Sequence, residues 1–516
     1  VRPHDVGLLF EECAQRGHRT AVVLDRPLDI APELGAHLTV PELADLVAEA
    51  SGWLAAAGAR PGDRVAIVKR NHWDYDLLAC AAVRIGAIPA QLSGHLSDEV
   101  LEILLKRLDP AVLVTDRALP GSGARTVLAL AEDVDGALTL DQVRGSARPA
   151  PRRRHDDEPL VVNHTSGTTG VPKLVAHSTR SAVLLLARKE SVRWPVIGLR
   201  PDDVLANASS YAHARTFRWT ASALASAPAQ ITVLSDPSSA PRVLSAHPPT
   251  VVEALPSAYA RWQTVVGVPD NPFRRVRLYA SGHDAVHPPT VRRMLNASRH
   301  EHPVWVQGWG QTETGPLTLR FLTRRAVTGP RPSTRHLGRP LPGGAKLRVV
   351  DPETFEPLPR GRVGLLLART PALGSGYLGE EERWRAKEVD GWWNTGDLGS
   401  ISRTGAVRLL DREVDSAPGV SCLNVEDLVE NRLPEVVECV LLTPTGRPPL
   451  PVLVTSDGLI GERRWRTAVA DLPVMAAPVV LGWDEVPRTG TGKVRRLELL
   501  ARLDGRVEPD ARGRWT

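Results

Sequence analysis

Residues 160–177 read LVVNHTSGTTGVPKLVAH. The residues that could do chemistry are Thr165, Ser166, Gly167, Thr168, Thr169 and Gly170, followed by Pro172 and Lys173. Gly167 and Gly170 allow positive φ, which lets backbone N–H groups turn toward one point. Ser166, Thr168 and Thr169 add hydroxyl donors, and Lys173 adds a point charge. Such a loop suits a polyphosphate. It is not a Walker A loop, because the spacing G-x-x-x-x-G-K-[ST] is absent. A flexible polar turn is the other reading of a Ser/Thr/Gly run. The short apolar run Leu160, Val161, Val162 before it, long enough for a buried strand, and the Pro-Lys behind it weigh against that.

TSGTTGVPK resembles the phosphate loop of the adenylate-forming, AMP-binding superfamily. That family holds acyl- and aryl-CoA synthetases, peptide-synthetase adenylation domains and beetle luciferases. Further stretches carry the resemblance in order. VWVQGWGQTETG, residues 304–315, is similar to the family's G-Y-G-x-T-E motif, with Trp309 in place of Tyr before Gly310. The resemblance implies that Trp309 packs on adenine, Thr312 contacts the α-phosphate and Glu313 holds Mg²⁺ through oxygen. DGWWNTGDLG resembles the T-G-D motif, in which Asp397 accepts from both ribose hydroxyls. Arg412 matches a ribose- and phosphate-contacting Arg. Lys493, in VPRTGTGKVRRLEL, matches the Lys that reaches into the active site during adenylation. The string GTGK there is no P-loop, since Pro487 and Val494 stand where Gly and Ser/Thr would be needed.

The acid pocket is less plainly written. His213 falls where the family has a pocket-lining His or aromatic residue, and a structural histidine is the equal alternative. Arg215, Phe217 and Arg218 follow, without a carboxylate in that stretch. An α-amino acid substrate would find no anionic partner there. Ser281 and Gly282 match a strand end that lies between nucleotide and acid. His283 stands where a minimal residue is usual. It either shortens the pocket, with Asp284 orienting the imidazole, or points outward at a bulge. The first alternative implies a compact, aromatic or cyclic acid.

The resemblance implies an AMP-forming ligase that uses ATP and Mg²⁺. A carboxylate attacks the α-phosphorus in line, pyrophosphate leaves, and an acceptor displaces AMP. The default acceptor is the thiol of CoA or a carrier protein. One region departs from the pattern. Val414 stands at the family's hinge position, the loop from Arg412 to Gly419 is two residues short, and its Lys is missing. That gives weight to an amine acceptor, or to the nitrite-activating members that diazotise an arylamine. A non-catalytic nucleotide-binding homologue is a further alternative.

The elements that must position these residues follow from pattern and bulk composition. The chain has 516 residues, 42% hydrophobic and 24% charged, with a net charge of +5, an ordinary globular composition with room for two or more domains. The arginines are spread out, so nucleic acid is not an expected partner. Four cysteines without C-x-x-C spacing fit a reducing compartment. With no apolar leader or membrane-length run, a cytoplasmic protein without membrane partner is expected. Residues 40–57, begun by Thr39, Pro41 and Glu42, predict a helix. Residues 65–68 predict a buried strand, 73–85 a helix, and Gly86, Ala87 and Pro89 a turn. This order argues for a parallel sheet with crossover helices. Residues 149–159, PAPRRRHDDEP, read as a solvated linker ahead of an anion site. Residues 178–189 predict a helix and 203–206 a strand. The expected fold class is α/β: a large N-terminal domain, 1–411, of parallel-sheet subdomains plus a small β-barrel at about 331–410. A small mobile α+β domain, 412–516, carries Lys493.

Overall fold

The computed structural model describes residues 5–119, 121–130, 134–167, 170–268, 270–328, 333–340, 343–412 and 421–504. Thr168, Thr169 and the shortened hinge with Val414 and Gly419 lie outside the described residues. The fold is mixed α/β with parallel-rich sheets. The chain divides into two compact units. One comprises residues 1–253, 312–315 and 371–386; the other comprises 254–311, 316–370 and 387–516. The expected boundary at 412 falls inside the second.

The first unit contains an eight-stranded sheet. Its order is Gly376–Tyr377, Leu174–Ser178, Pro159–His164, Ile88–Ser93, Arg64–Lys69, Val112–Thr115, Thr126–Ala129 and Leu138–Thr139. Arg64–Lys69 pairs in parallel with both Ile88–Ser93 and Val112–Thr115. Crossover helices cover these strands, so the strands read as continuous apolar runs rather than alternating ones. The helix Val40–Ala56 begins with a capping box, in which Thr39 and Glu42 satisfy each other's backbone N–H groups. The helix Asp74–Arg84 follows, and Gly86 turns the chain at φ +82°. The same unit holds a second row of strands: Val204–Ala208, Gln230–Val233, Ala21–Leu24 and His37–Thr39. Residues 178–189 depart from a plain α-helix. Arg180–Ala187 winds as a π-helix before one α-turn, Arg188–Glu190. π-helical turns of this kind are uncommon and gather at functional sites.

In the second unit, which holds all of Gly315–Leu322 except its first residue, the strands Lys346–Val350, Gly364–Arg369, Trp392–Ile401, Val407–Arg412, His336–Pro340, Gly315–Leu322, Val304–Gln311 and Leu278–Ser281 follow one another in a line. The expected β-rich stretch is therefore there, but its strands continue a larger sheet. Among the described residues their pairing does not confirm a separate barrel. Pairing is antiparallel through the first of these and parallel between Leu278–Ser281 and Val304–Gln311. The C-terminal part of this unit is α+β. Val436–Leu442, Leu450–Thr455 and Val479–Leu481 form a three-stranded sheet, with the helix Cys422–Arg432 packed on it. All four cysteines are buried and free. Among the described residues, no helix is long and apolar enough to cross a membrane.

Candidate active site

In the first unit the Ser/Thr/Gly loop joins two antiparallel strands, Pro159–His164 and Leu174–Ser178. Thr165 and Lys173 close its neck. The Thr165 N–H donates to the Lys173 carbonyl at 3.0 Å, and the Lys173 N–H donates to Thr165 Oγ1 at 3.0 Å. Gly167 has φ +64°, and a Cβ there would lie 2.6 Å from Pro172 Cγ. Only glycine meets both conditions at this position. Buried His164 ties the loop to the sheet. Its Nε2 accepts from the Ser93 N–H, which places the ring proton on Nδ1, donating to the Thr165 carbonyl at 2.7 Å.

The turn with Thr312 and Glu313 belongs to the same unit. His177, at the far end of the loop's second strand, has its Nε2 2.7 Å from the Thr312 carbonyl. Burial pulls this ring down to about 4, so it is neutral, with Nε2–H donating to Thr312 and Nδ1 facing the Ser181 hydroxyl. Glu313 is buried, and its Oε1 accepts from the Tyr377 hydroxyl at 2.5 Å. Burial and the nearby Glu313 charge both push the phenol up, so its proton stays in place as a donor. Lys173 Nζ lies 5.6 Å from the centre of the Tyr377 ring, within cation–π range. Lys173, Tyr377 and Glu313 thus form one group. The residues fit a Mg²⁺ site of the kind phosphates complete. Among the described residues no cluster of three His, Cys, Asp or Glu gathers, but Mg²⁺ needs only one or two carboxylates when phosphates and water supply the rest. Glu313 Oε2 accepts no hydrogen bond from a described residue and would be that ligand.

The second unit carries Trp309, Asp397, Arg412 and Lys493. Along Trp392–Ile401 burial alternates, with Trp393, Thr395 and Asp397 on the inner face. Asp397 stands directly opposite Arg412 in the antiparallel register. Arg412 Nε donates to Asp397 Oδ1 at 3.2 Å, and the Trp309 indole N–H donates to Oδ2 at 3.1 Å. Burial raises the Asp397 carboxyl above its usual range, offset in part by Arg412, Trp309 and Lys493. Lys493 therefore lies near enough to act on that carboxylate. Its own turn is closed by Gly492, at φ +77°, whose N–H donates to the Thr489 carbonyl. A Cβ at Gly492 would strike Ser257 Oγ at 2.1 Å, so the Lys493 turn packs directly on residues 255–257.

The expected acid-pocket residues are placed as follows. His213 is the N-cap of the helix Ala214–Ser226, its Nδ1 accepting from the Arg215 N–H. Ser281 is buried, and its hydroxyl accepts from the Trp305 indole at 3.0 Å. Gly282 directly follows the strand Leu278–Ser281. His283 is half-buried at φ +69°, in the left-handed region where non-glycine residues are uncommon. Asp284 Oδ1 accepts from the Ala285 N–H. The stretch 215–218 itself holds no carboxylate, as its sequence reads, but Arg215 meets two. Its Nε and Nη2 fork onto Glu253 at 2.5 and 2.7 Å, and its Nη1 reaches Glu190 at 2.5 Å. Both carboxylates come from elsewhere in the chain. Tyr377, His177 and Gln311 were also unforeseen. Gln311 donates to the Thr395 carbonyl and accepts from Trp393, bracing the Asp397 strand.

The family model described as AMP-binding enzyme matches residues 9–378. A 3-amino-2-hydroxy-4-methoxybenzoate diazotase of Streptomyces cremeus is 38% identical, over 97% of this chain and 96% of its own. An anthranilate–CoA ligase of Pseudomonas aeruginosa is 28% identical, over 85% and 87%. Among solved structures, an anthranilate CoA ligase in complex with anthranoyl-AMP aligns with a TM-score of 0.81 over 98% of each chain, at 20% identity. The chain belongs to the AMP-binding enzyme family, the adenylate-forming ligases.

Proposed function

We propose that this chain is an ATP-dependent diazotase acting on a compact aminoaryl carboxylic acid. The observation that carries this is the end-to-end 38% identity with a diazotase of an aminohydroxybenzoate. A nitrite oxygen attacks the α-phosphorus of ATP, and pyrophosphate leaves. The arylamine nitrogen then attacks the nitrosyl nitrogen, the bond from that nitrogen to the phosphate oxygen breaks with its electron pair going to AMP, and the amine nitrogen releases one proton to solvent. The N-nitrosamine shifts a proton to oxygen and loses hydroxide, leaving the aryldiazonium. In this reading Ser166, Gly167, Gly170 and Lys173 take the phosphates, with Thr168 and Thr169 of the same loop. Thr312 takes the α-phosphate, and Glu313 the Mg²⁺. Trp309 and Gly310 border adenine, Asp397 and Arg412 take the ribose, and Lys493 stabilises the charge that develops at the α-phosphate. His213, Ser281, Gly282 and His283 border the aryl acid. This puts nitrite ahead of the CoA or carrier-protein thiol.

The thiol-accepting acid ligase remains the second reading, supported by the anthranilate–CoA ligase relative. One assay separates the two. AMP release is measured with ATP, Mg²⁺ and 3-amino-2-hydroxybenzoate, with nitrite or with CoA. Nitrite-dependent AMP release, with an azo dye on adding a coupling phenol, supports the diazotase. AMP release that needs CoA and ignores nitrite supports the ligase.

A further inference from the structure

The helix Ala214–Ser226 places Arg215 and Arg218 three residues apart, on one face. The two are not equivalent. Arg215 takes both nearby carboxylates, Glu253 through two nitrogens and Glu190 through the third. Arg218 has no hydrogen bond or ion pair with a described residue, and its buried Nε has no partner. Its tip has a definite place. A Cβ on Gly315 would lie 2.9 Å from Arg218 Nη1 and 2.7 Å from Leu186 Cδ1, so both side chains press on the turn that carries Thr312 and Glu313. Its charge also reaches His177, the ring that holds the Thr312 carbonyl. Burial pulls Arg218 down to about 10, offset in part by Glu190, which leaves it charged at neutral pH.

A buried charge without hydrogen-bonded partners is costly, even with opposite charges in the neighbourhood. The same helix shows how that cost is met when it is only structural: Arg215 is forked by two glutamates. Arg218 is left open beside the motif turn instead. A guanidinium offers two parallel N–H donors, spaced for a planar O–X–O group. We propose that Arg218 is the anion-recognising residue of this site, binding a planar oxyanion of the substrates: the aryl carboxylate of the amine or the nitrite. This rests on the diazotase reading. For a diazotase the aryl carboxylate is not the reacting group, so it is free to serve as a handle.

The test uses the full chain with a non-cleavable ATP analogue and Mg²⁺. Equilibrium binding is measured for 3-amino-2-hydroxybenzoate and its methyl ester, and KM for sodium nitrite in the complete reaction, with wild type, Arg218→Met and Arg218→Lys. If the carboxylate is the ligand, wild type prefers acid over ester by about tenfold or more, the size of a charge-assisted hydrogen-bonded contact. Arg218→Met then abolishes the preference by weakening the acid alone, and Arg218→Lys restores part of it. If nitrite is the ligand, its KM rises about tenfold in Arg218→Met while the acid-to-ester ratio stays. Should the variants fail to fold, wild-type protein is treated with phenylglyoxal and the Arg218 peptide is weighed. Protection by acid or nitrite, but not by ester, supports the proposal. It is overturned by unchanged acid preference together with unchanged nitrite KM, by a rise confined to ATP, or by protection equal for acid, ester and no ligand. Binding of the acid does not require turnover. A failed diazotisation with intact acid-over-ester recognition thus counts against the diazotase and leaves Arg218 standing.

Discussion

The indole N–H of Trp309 donates to Oδ2 of Asp397 at 3.1 Å, across 88 residues of sequence. With Arg412 on Oδ1, the carboxylate is gripped on both oxygens and still has lone pairs free for hydroxyl donors. The indole is therefore both a ring and a hydrogen-bond donor at this position.

Trp309→Phe separates the two properties. The ring survives and the donor is lost, leaving one buried carboxylate oxygen short of a partner. The cost is about 1–3 kcal/mol. KM for ATP is expected to rise about tenfold in AMP-release assays, with a smaller change in kcat. An unchanged KM would mean that the Trp309 contact does not bear on nucleotide binding.

Tyr377→Phe removes the hydroxyl that fixes Glu313. The Mg²⁺ concentration for half-maximal AMP release should rise about tenfold, within the range for a hydrogen bond to a charged group. Glu313→Gln removes the charge and should have a larger effect of the same kind. Equal Mg²⁺ titrations in wild type and both variants would exclude Glu313 from the metal.

Lys493→Ala removes a cation that acts on the Asp397 region. ATP–pyrophosphate exchange is expected to fall by ~10²-fold or more, the scale of one transition-state charge contact. Circular dichroism and thermal melting should stay near wild type, because Lys493 lies on a turn. Near-normal exchange in a folded variant would remove it from the chemistry.

A pH effect follows from the contacts of the helix Cys422–Arg432. His287 Nδ1 lies 2.8 Å from Asp427, and Nε2 lies 3.5 Å from Glu430. Burial alone would lower the ring, but Glu430 and then Asp427 outweigh it and push His287 up to about 10. Burial also raises Glu430, to about 8. Both shifts mean that the folded state binds more protons than the unfolded one, so stability falls as pH rises. The His287 contribution is complete below its unfolded value near 6.5 and is lost as pH climbs through about 10. Hydrogen exchange of residues 422–432 should quicken between pH 7 and 10, and less so in His287→Ala. Exchange that slows with pH, after correction for intrinsic rates, would reverse the sign.

What the sequence by itself determined is whatever one short stretch can encode. The Ser/Thr/Gly loop, the T-E turn and the T-G-D strand are each contiguous, and local backbone needs such as φ > 0 at Gly167 write themselves into residue type. The α/β class was legible for a similar reason, since helix caps and apolar runs are local signals. Tertiary structure alone decided which distant side chains meet. Gly376–Tyr377 read as part of a β-rich stretch, yet it pairs with Leu174–Ser178, and that pairing brings Tyr377 to Lys173 and Glu313. The stretch at about 331–410 read as a small barrel, while the described strands there pair in a line, a partnering that no local pattern dictates. Arg215 and Arg218 looked alike in sequence. Only the approach of Glu190 and Glu253 gives Arg215 its direct ion pairs and leaves Arg218 without a hydrogen-bonded partner among the described residues, because such a pair depends on distance in space and not along the chain.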